Sequence, residues 1–84
     1  MLVLFTTAGC HLCDDAEAIL LYCRSYYPQV HWRTVDIAED AALVERYGLR
    51  IPVIGIADSA AELNWPFDPG QLMAFIKSQT NDGH

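Results

Sequence analysis

Leu2-Val3-Leu4-Phe5 is an unbroken apolar run that ends at Thr6-Thr7-Ala8-Gly9, and the segment behind it has a different period. A strand with no polar alternation has to be covered on both faces, so the chain must place other elements above and below it. From His11 to Tyr26 the apolar residues Leu12, Ala16, Ile19, Leu20 and Cys23, with Tyr27 just beyond, follow helical spacing between Asp14, Asp15, Glu17 and Arg24. This amphipathic helix ends before Pro28. A central strand that feeds a covering helix through a short loop restricts the chain to layered α/β arrangements.

The remaining segments complete such a layer. Val30 to Ile37 is rich in β-branched and aromatic residues and predicts a second strand, parallel to the first because a helix connects them. Ala38 to Tyr47 predicts a short helix with Glu39 and Asp40 in its first turn, Arg46 in its last, and Gly48 as a left-handed terminal residue. Ile51 to Ile56 predicts a third strand opening at Pro52, and Asp58 to Ala61 a turn into a fourth strand, Glu62 to Trp65. The short connection makes that pair an antiparallel hairpin. Asp68 followed by Pro69 signals a final helix with Leu72, Phe75 and Ile76 toward the core, leaving residues 80–84 as a loose tail. The expected order is β-α-β-α-β-β-α: a four-stranded mixed sheet flanked by three helices, in one domain over residues 1–79.

At 84 residues, 52% of them hydrophobic, the chain has length for a single core and no second. Its net charge of −6 with only five Lys and Arg leaves no basic patch, which excludes nucleic acid as a partner. The N-terminal apolar run is far too short for a membrane span and carries no basic flank. Three cysteines, an odd number, do not make a secreted disulfide framework, and a reducing, cytoplasmic setting is expected, with the protein acting as a monomer.

Two of those cysteines stand at the strand-to-helix handover, as Cys10-His11-Leu12-Cys13. At a helix start, positions three apart project about 60° from each other on one face, close enough to bridge. The free N–H groups and positive dipole end of the helix favour a thiolate over a thiol, which makes the first cysteine a nucleophile. A protonated His11 would strengthen this effect, whereas Asp14 and Asp15 would oppose it. The same pair is also half a zinc site, but a structural zinc needs four ligands and only His11, Cys23 and His31 are candidates for the rest. Cys23 recurs on the apolar stripe of the helix and is expected to be a core residue. No metal and no resident cofactor are expected.

The motif in this context resembles the active site of the thioredoxin-like fold, and its flanks resemble the glutaredoxins. The resemblance spans Met1 to about Gln79. It rests on Thr7-Ala8-Gly9-Cys10-His11-Leu12-Cys13, on Val35-Asp36-Ile37 before a short acidic helix, and on Tyr47-Gly48-Leu49-Arg50-Ile51-Pro52-Val53. It implies a thiol–disulfide oxidoreductase with Cys10 attacking, Cys13 resolving, and His11 and Leu12 tuning the redox poise. It also implies a cis Ile51–Pro52 bond beside the cysteines, with Ile51 offering backbone groups to an extended thiol substrate. The substrate would be a disulfide-containing protein or small thiol, and the reductant glutathione or a protein dithiol served by a reductase. Glutaredoxins carry a Gly-Gly turn before the last helix; here Trp65-Pro66-Phe67 stand in its place and only Asp68 keeps the pattern. Pro66 and Pro69 each lack a donor that such a turn presents to glutathione, and Arg46 or Arg50 would supply a compensating charge. Trp65 and Phe67 either form an apolar rim for a protein partner or pack the last helix. A competing reading makes the same cysteines ligands of a metal or shared iron–sulfur cluster in a non-catalytic binding module.

Overall fold

The computed structural model describes residues 1–80. Its elements are β1 (Leu2–Thr6), α1 (His11–Tyr26), β2 (Trp32–Asp36), a 3₁₀ turn (Ile37–Glu39), α2 (Ala41–Tyr47), β3 (Val53–Ile56), β4 (Glu62–Asn64) and α3 (Pro69–Thr80). The strands form one mixed sheet in the order β2-β1-β3-β4. β1 is parallel to β2, antiparallel to β3, and β3 is antiparallel to β4. The expected layering and hairpin are therefore present, with the apolar run at the centre.

Successive strand residues point to opposite faces, and the two faces are filled differently. Leu2, Leu4 and Ile54 face α1 and α3, where Ala16, Leu20, Cys23, Leu72 and Phe67 complete the main core. Val53 faces α2 and joins Ile37 and Tyr47 in a smaller cluster, with Phe5, Leu43 and Ile51 packed against it. Phe5 and Tyr47 stack with ring centroids 4.2 Å apart. Gly55 makes room for that ring, since a Cβ there would stand 3.1 Å from Phe5 Cε2.

Several sequence expectations are corrected. The segment 38–47 is not one helix, because Asp40 interrupts it: Asp36, before the segment, accepts from the N–H of Ala38 and caps the 3₁₀ turn, and Asp40 accepts from the N–H of Ala42 and caps α2. Asp40 is thus a cap rather than a first-turn carboxylate. Gly48 is right-handed, at φ −53° and ψ −33°. Its requirement for glycine is steric: a Cβ would lie 2.5 Å from the Val44 carbonyl oxygen. β2 starts only at Trp32, because the Val30 N–H turns back to the Tyr27 carbonyl. β3 starts at Val53 and β4 ends at Asn64, each bounded by a cis peptide bond, at Ile51–Pro52 and Trp65–Pro66. On α1, Leu12 and Tyr27 are exposed and Cys13 is buried in their stead. The final helix has the expected core residue Leu72, and its start is reciprocally capped: Gln71 N–H donates to Asp68 Oδ1 at 2.7 Å and Asp68 N–H to Gln71 Oε1 at 2.9 Å. Of the expected tail, Thr80 closes α3 and residues 81–84 lie outside the described residues.

Candidate redox site

The register gathers the expected site residues at one edge of the sheet. Phe5 stands opposite Val53, and Val53 opposite Asn64. The loop that leaves β1 toward Cys10, the Ile51–Pro52 bond that enters β3, and the Trp65–Phe67 segment that leaves β4 therefore share that edge. Asp36, paired with Thr6, closes β2 there as well.

Gly9 turns the chain into α1 at φ 78°, and no atom would meet an added Cβ, so the glycine is required by the backbone itself. Cys10 then adopts extended geometry as the N-cap of α1. Its Sγ accepts from the Cys13 N–H at 3.1 Å, and its carbonyl accepts from the Asp14 N–H at 3.2 Å. One open N–H of the helix start thus reaches the sulfur, an arrangement that favours a thiolate in the reduced protein. Cys10 and Cys13 are joined in a disulfide with Cα atoms 5.2 Å apart, within the span such a bridge requires.

The pair is asymmetric. Cys13 is 3% exposed, whereas Cys10 is half-buried and flanked by exposed His11 and by Leu12 at 48% exposure. Behind Cys13 lies a cleft of about 320 Å³ bounded by Thr6, Asp14, Glu17, Thr34 and Asp36. Sequence reading attached no site role to Glu17 or Asp36, since only the fold brings β2 and the second turn of α1 together.

Pro52 is fully buried at the same end of the sheet and Ile51 is half-buried in the smaller core. The cis Ile51–Pro52 bond implied by the resemblance is present. Arg50 and Arg46 both reach Glu62, at 3.3 and 3.4 Å, so neither guanidinium stands apart from an acidic partner. The Asp68 carboxylate and N–H are both engaged with Gln71. Phe67 is buried in the main core, with Trp65 set edge-to-face against it at 5.1 Å. Cys23, the third cysteine, is buried with its thiol 3.8 Å from the Pro69 carbonyl, and burial pushes its pKa up. Among the described residues no group of three or more His, Cys, Asp and Glu side chains is arranged to hold a metal ion, and no helix is long and apolar enough to cross a membrane.

A mixed sheet flanked by helices, with a Cys-X-X-Cys disulfide at the first helix start and a cis proline just before β3, is the thiol-redox architecture of the thioredoxin fold. The match of residues 1–77 to the family model of the glutaredoxin-like domain (DUF836) places the chain in that family. It is similar to the X-ray structure of target protein XcR50 from X. campestris, at 38% identity and a TM-score of 0.81, covering 93% of this chain and 97% of that one. It is also similar to reduced desulfothioredoxin from Desulfovibrio vulgaris Hildenborough, at 26% identity and a TM-score of 0.70, covering 92% and 78% of the two chains. Thioredoxin 1 of Thermosipho africanus shares the fold at 12% identity and a TM-score of 0.65, covering 94% and 92%. No curated protein matches the chain.

Proposed function

We propose that this protein is a thiol–disulfide oxidoreductase that uses Cys10 as nucleophile and Cys13 as resolving thiol. The supporting observation is the unequal burial of two cysteines bridged at one helix start. In the reduced protein the Cys10 thiolate attacks one sulfur of a substrate disulfide; that S–S bond breaks and the other sulfur leaves as a thiolate. The Cys13 thiolate then attacks Cys10 Sγ, releasing the second substrate thiolate and closing the Cys10–Cys13 disulfide. Two electrons pass to the substrate, and a dithiol reductant resets the pair by the reverse exchange. His11 and Leu12, exposed between the cysteines, meet the substrate first and modulate the poise, and Ile51 with Pro52 lines the approach.

The substrates are disulfide-bearing proteins or small thiols in a reducing, cytoplasmic setting. The reductant is a protein dithiol or glutathione. At the turn before α3 the Asp68 N–H is taken by Gln71 and the two prolines carry none, which supports a protein dithiol as the better donor.

Cys10→Ser is expected to abolish disulfide reduction, and Cys13→Ser to accumulate a mixed disulfide with substrate, observable by intact mass. Normal activity in Cys10→Ser, or stoichiometric zinc or iron in the freshly purified protein, overturns the reading. Turnover with thioredoxin reductase against turnover with glutathione and its reductase decides the donor.

A further inference from the structure

We propose that Glu62 is a positioning residue for this redox site, fixing the Ile51–Pro52 edge through Arg50; the inference rests on the thiol–disulfide reading above. Glu62 opens β4, on the strand pair that carries Pro52 into the sheet, and its side chain is only 17% exposed. Three groups converge on its carboxylate. Tyr47 Oη donates at 2.6 Å and Arg46 Nη2 at 3.4 Å to Oε2, and Arg50 Nη2 donates at 3.3 Å to Oε1.

Arg50 is held from several directions at once. Its Nε donates to the Arg46 carbonyl at 3.2 Å and its Nη1 to Asn64 Oδ1 at 3.1 Å, while the guanidinium lies 5.0 Å over the Tyr47 ring. The guanidinium therefore spans from the last turn of α2 to β4. The backbone repeats this attachment, because Arg50 N–H and Ile51 N–H both donate to the Tyr47 carbonyl, at 2.8 and 3.1 Å. Ile51 is thus suspended between α2 and β4 immediately before Pro52, opposite the strand end that leads to Cys10. The planar fork of an arginine can hold such divergent acceptors, whereas a lysine offers a single point charge. Glu62 is the acceptor that Arg46, Tyr47 and Arg50 share, and without it the fork loses its one charged anchor on β4 and keeps only the neutral Asn64 amide oxygen.

The test compares wild type with Glu62→Gln, Arg50→Met, Arg50→Lys and the double variant, using a neutral disulfide-linked peptide and glutathione disulfide as substrates. Glu62→Gln should raise KM for both about 5- to 10-fold, the scale of one net hydrogen bond, with kcat within about twofold. Alkylation of reduced Cys10 by iodoacetamide should keep its wild-type rate, and amide exchange at Ile51 and Val53 should accelerate. Arg50→Met and Arg50→Lys should behave alike, and the double variant no worse than either single change. Unchanged KM and exchange, additive single effects, or full function in Arg50→Lys overturns the proposal. A fall in KM confined to glutathione disulfide overturns it too, since Glu62 would then be masking guanidinium charge. If Glu62→Gln does not fold, Tyr47→Phe carries the test, because it keeps the stack on Phe5 and removes one donor to the carboxylate. A wild-type protein inactive on both substrates refutes the redox reading, while amide exchange still decides the positioning role.

Discussion

The two faces of the sheet are secured by different physics. On the α1/α3 face Leu4, Leu20, Ile54 and Leu72 are fully buried in one continuous apolar cluster. On the α2 face a helix of seven residues covers only part of the sheet, and the buried cluster is limited to Ile37, Tyr47 and Val53. Beyond Tyr47 a groove of about 390 Å³ opens over Val3, Val35 and Gly55. Where apolar filling runs short, hydrogen bonds and ion pairs centred on Glu62 take over. Burial holds the first face without regard to direction, while the second is held by bonds with defined angles. The directional face adjoins Ile51 and Pro52, the residues proposed to line the approach to Cys10.

The largest expected contrast comes from truncating one side chain of the closed face. Leu20→Ala should cost about 2–5 kcal/mol, measured by denaturant unfolding, because the cavity left behind relaxes only in part. A loss below about 1 kcal/mol would show that the main core is not the principal source of stability. The acid limb of the pH–stability curve tests the other face. Hydrogen bonding from Tyr47, ahead of the two arginines, holds the Glu62 carboxyl below its ordinary value, while burial opposes this. A lowered folded-state pKa means that this contribution is fully present above the unfolded value near 4.5 and is lost as pH falls through the lower folded value. Glu62→Gln should therefore lose stability at neutral pH and show a shallower decline on acidification than wild type; parallel curves would remove the carboxylate from the ledger. The smallest effect is expected at Leu49, an apolar residue wholly open to solvent in the α2–β3 connection. Leu49→Ser should shift stability by less than about 0.5 kcal/mol, and a larger change in thermal unfolding would mean that the open side contains a packed contact after all.

What was legible from sequence divides along the same line. The apolar run, the helical period of α1 and the capped start of α3 depend on burial and local bonding, and each lies where the pattern placed it. The cysteine pair was legible because its spacing and its place after a strand are both local facts. The split of the 38–47 segment was missed because Asp40, like Glu39, reads equally well as a first-turn charge, and only its extended backbone angles make it a cap. Gly48 was given the wrong hand for a related reason: a glycine after a helix fits either a left-handed turn or a close approach by a carbonyl. The cluster around Glu62 was invisible, since Arg46, Tyr47, Arg50, Glu62 and Asn64 come together only when β4 folds beside β3. Arg46 and Arg50 were accordingly read as available charges, whereas each has an acidic partner in the fold.

The sulfur of Cys10 serves α1 as the acceptor for the Cys13 N–H, so one atom belongs both to the helix end and to the proposed exchange chemistry. Thiolate, mixed disulfide and internal disulfide differ in charge and acceptor strength at that atom, and the Cys13 amide proton registers each of them. The backbone thus contains its own gauge of oxidation state, readable by amide chemical shift without any label or added indicator.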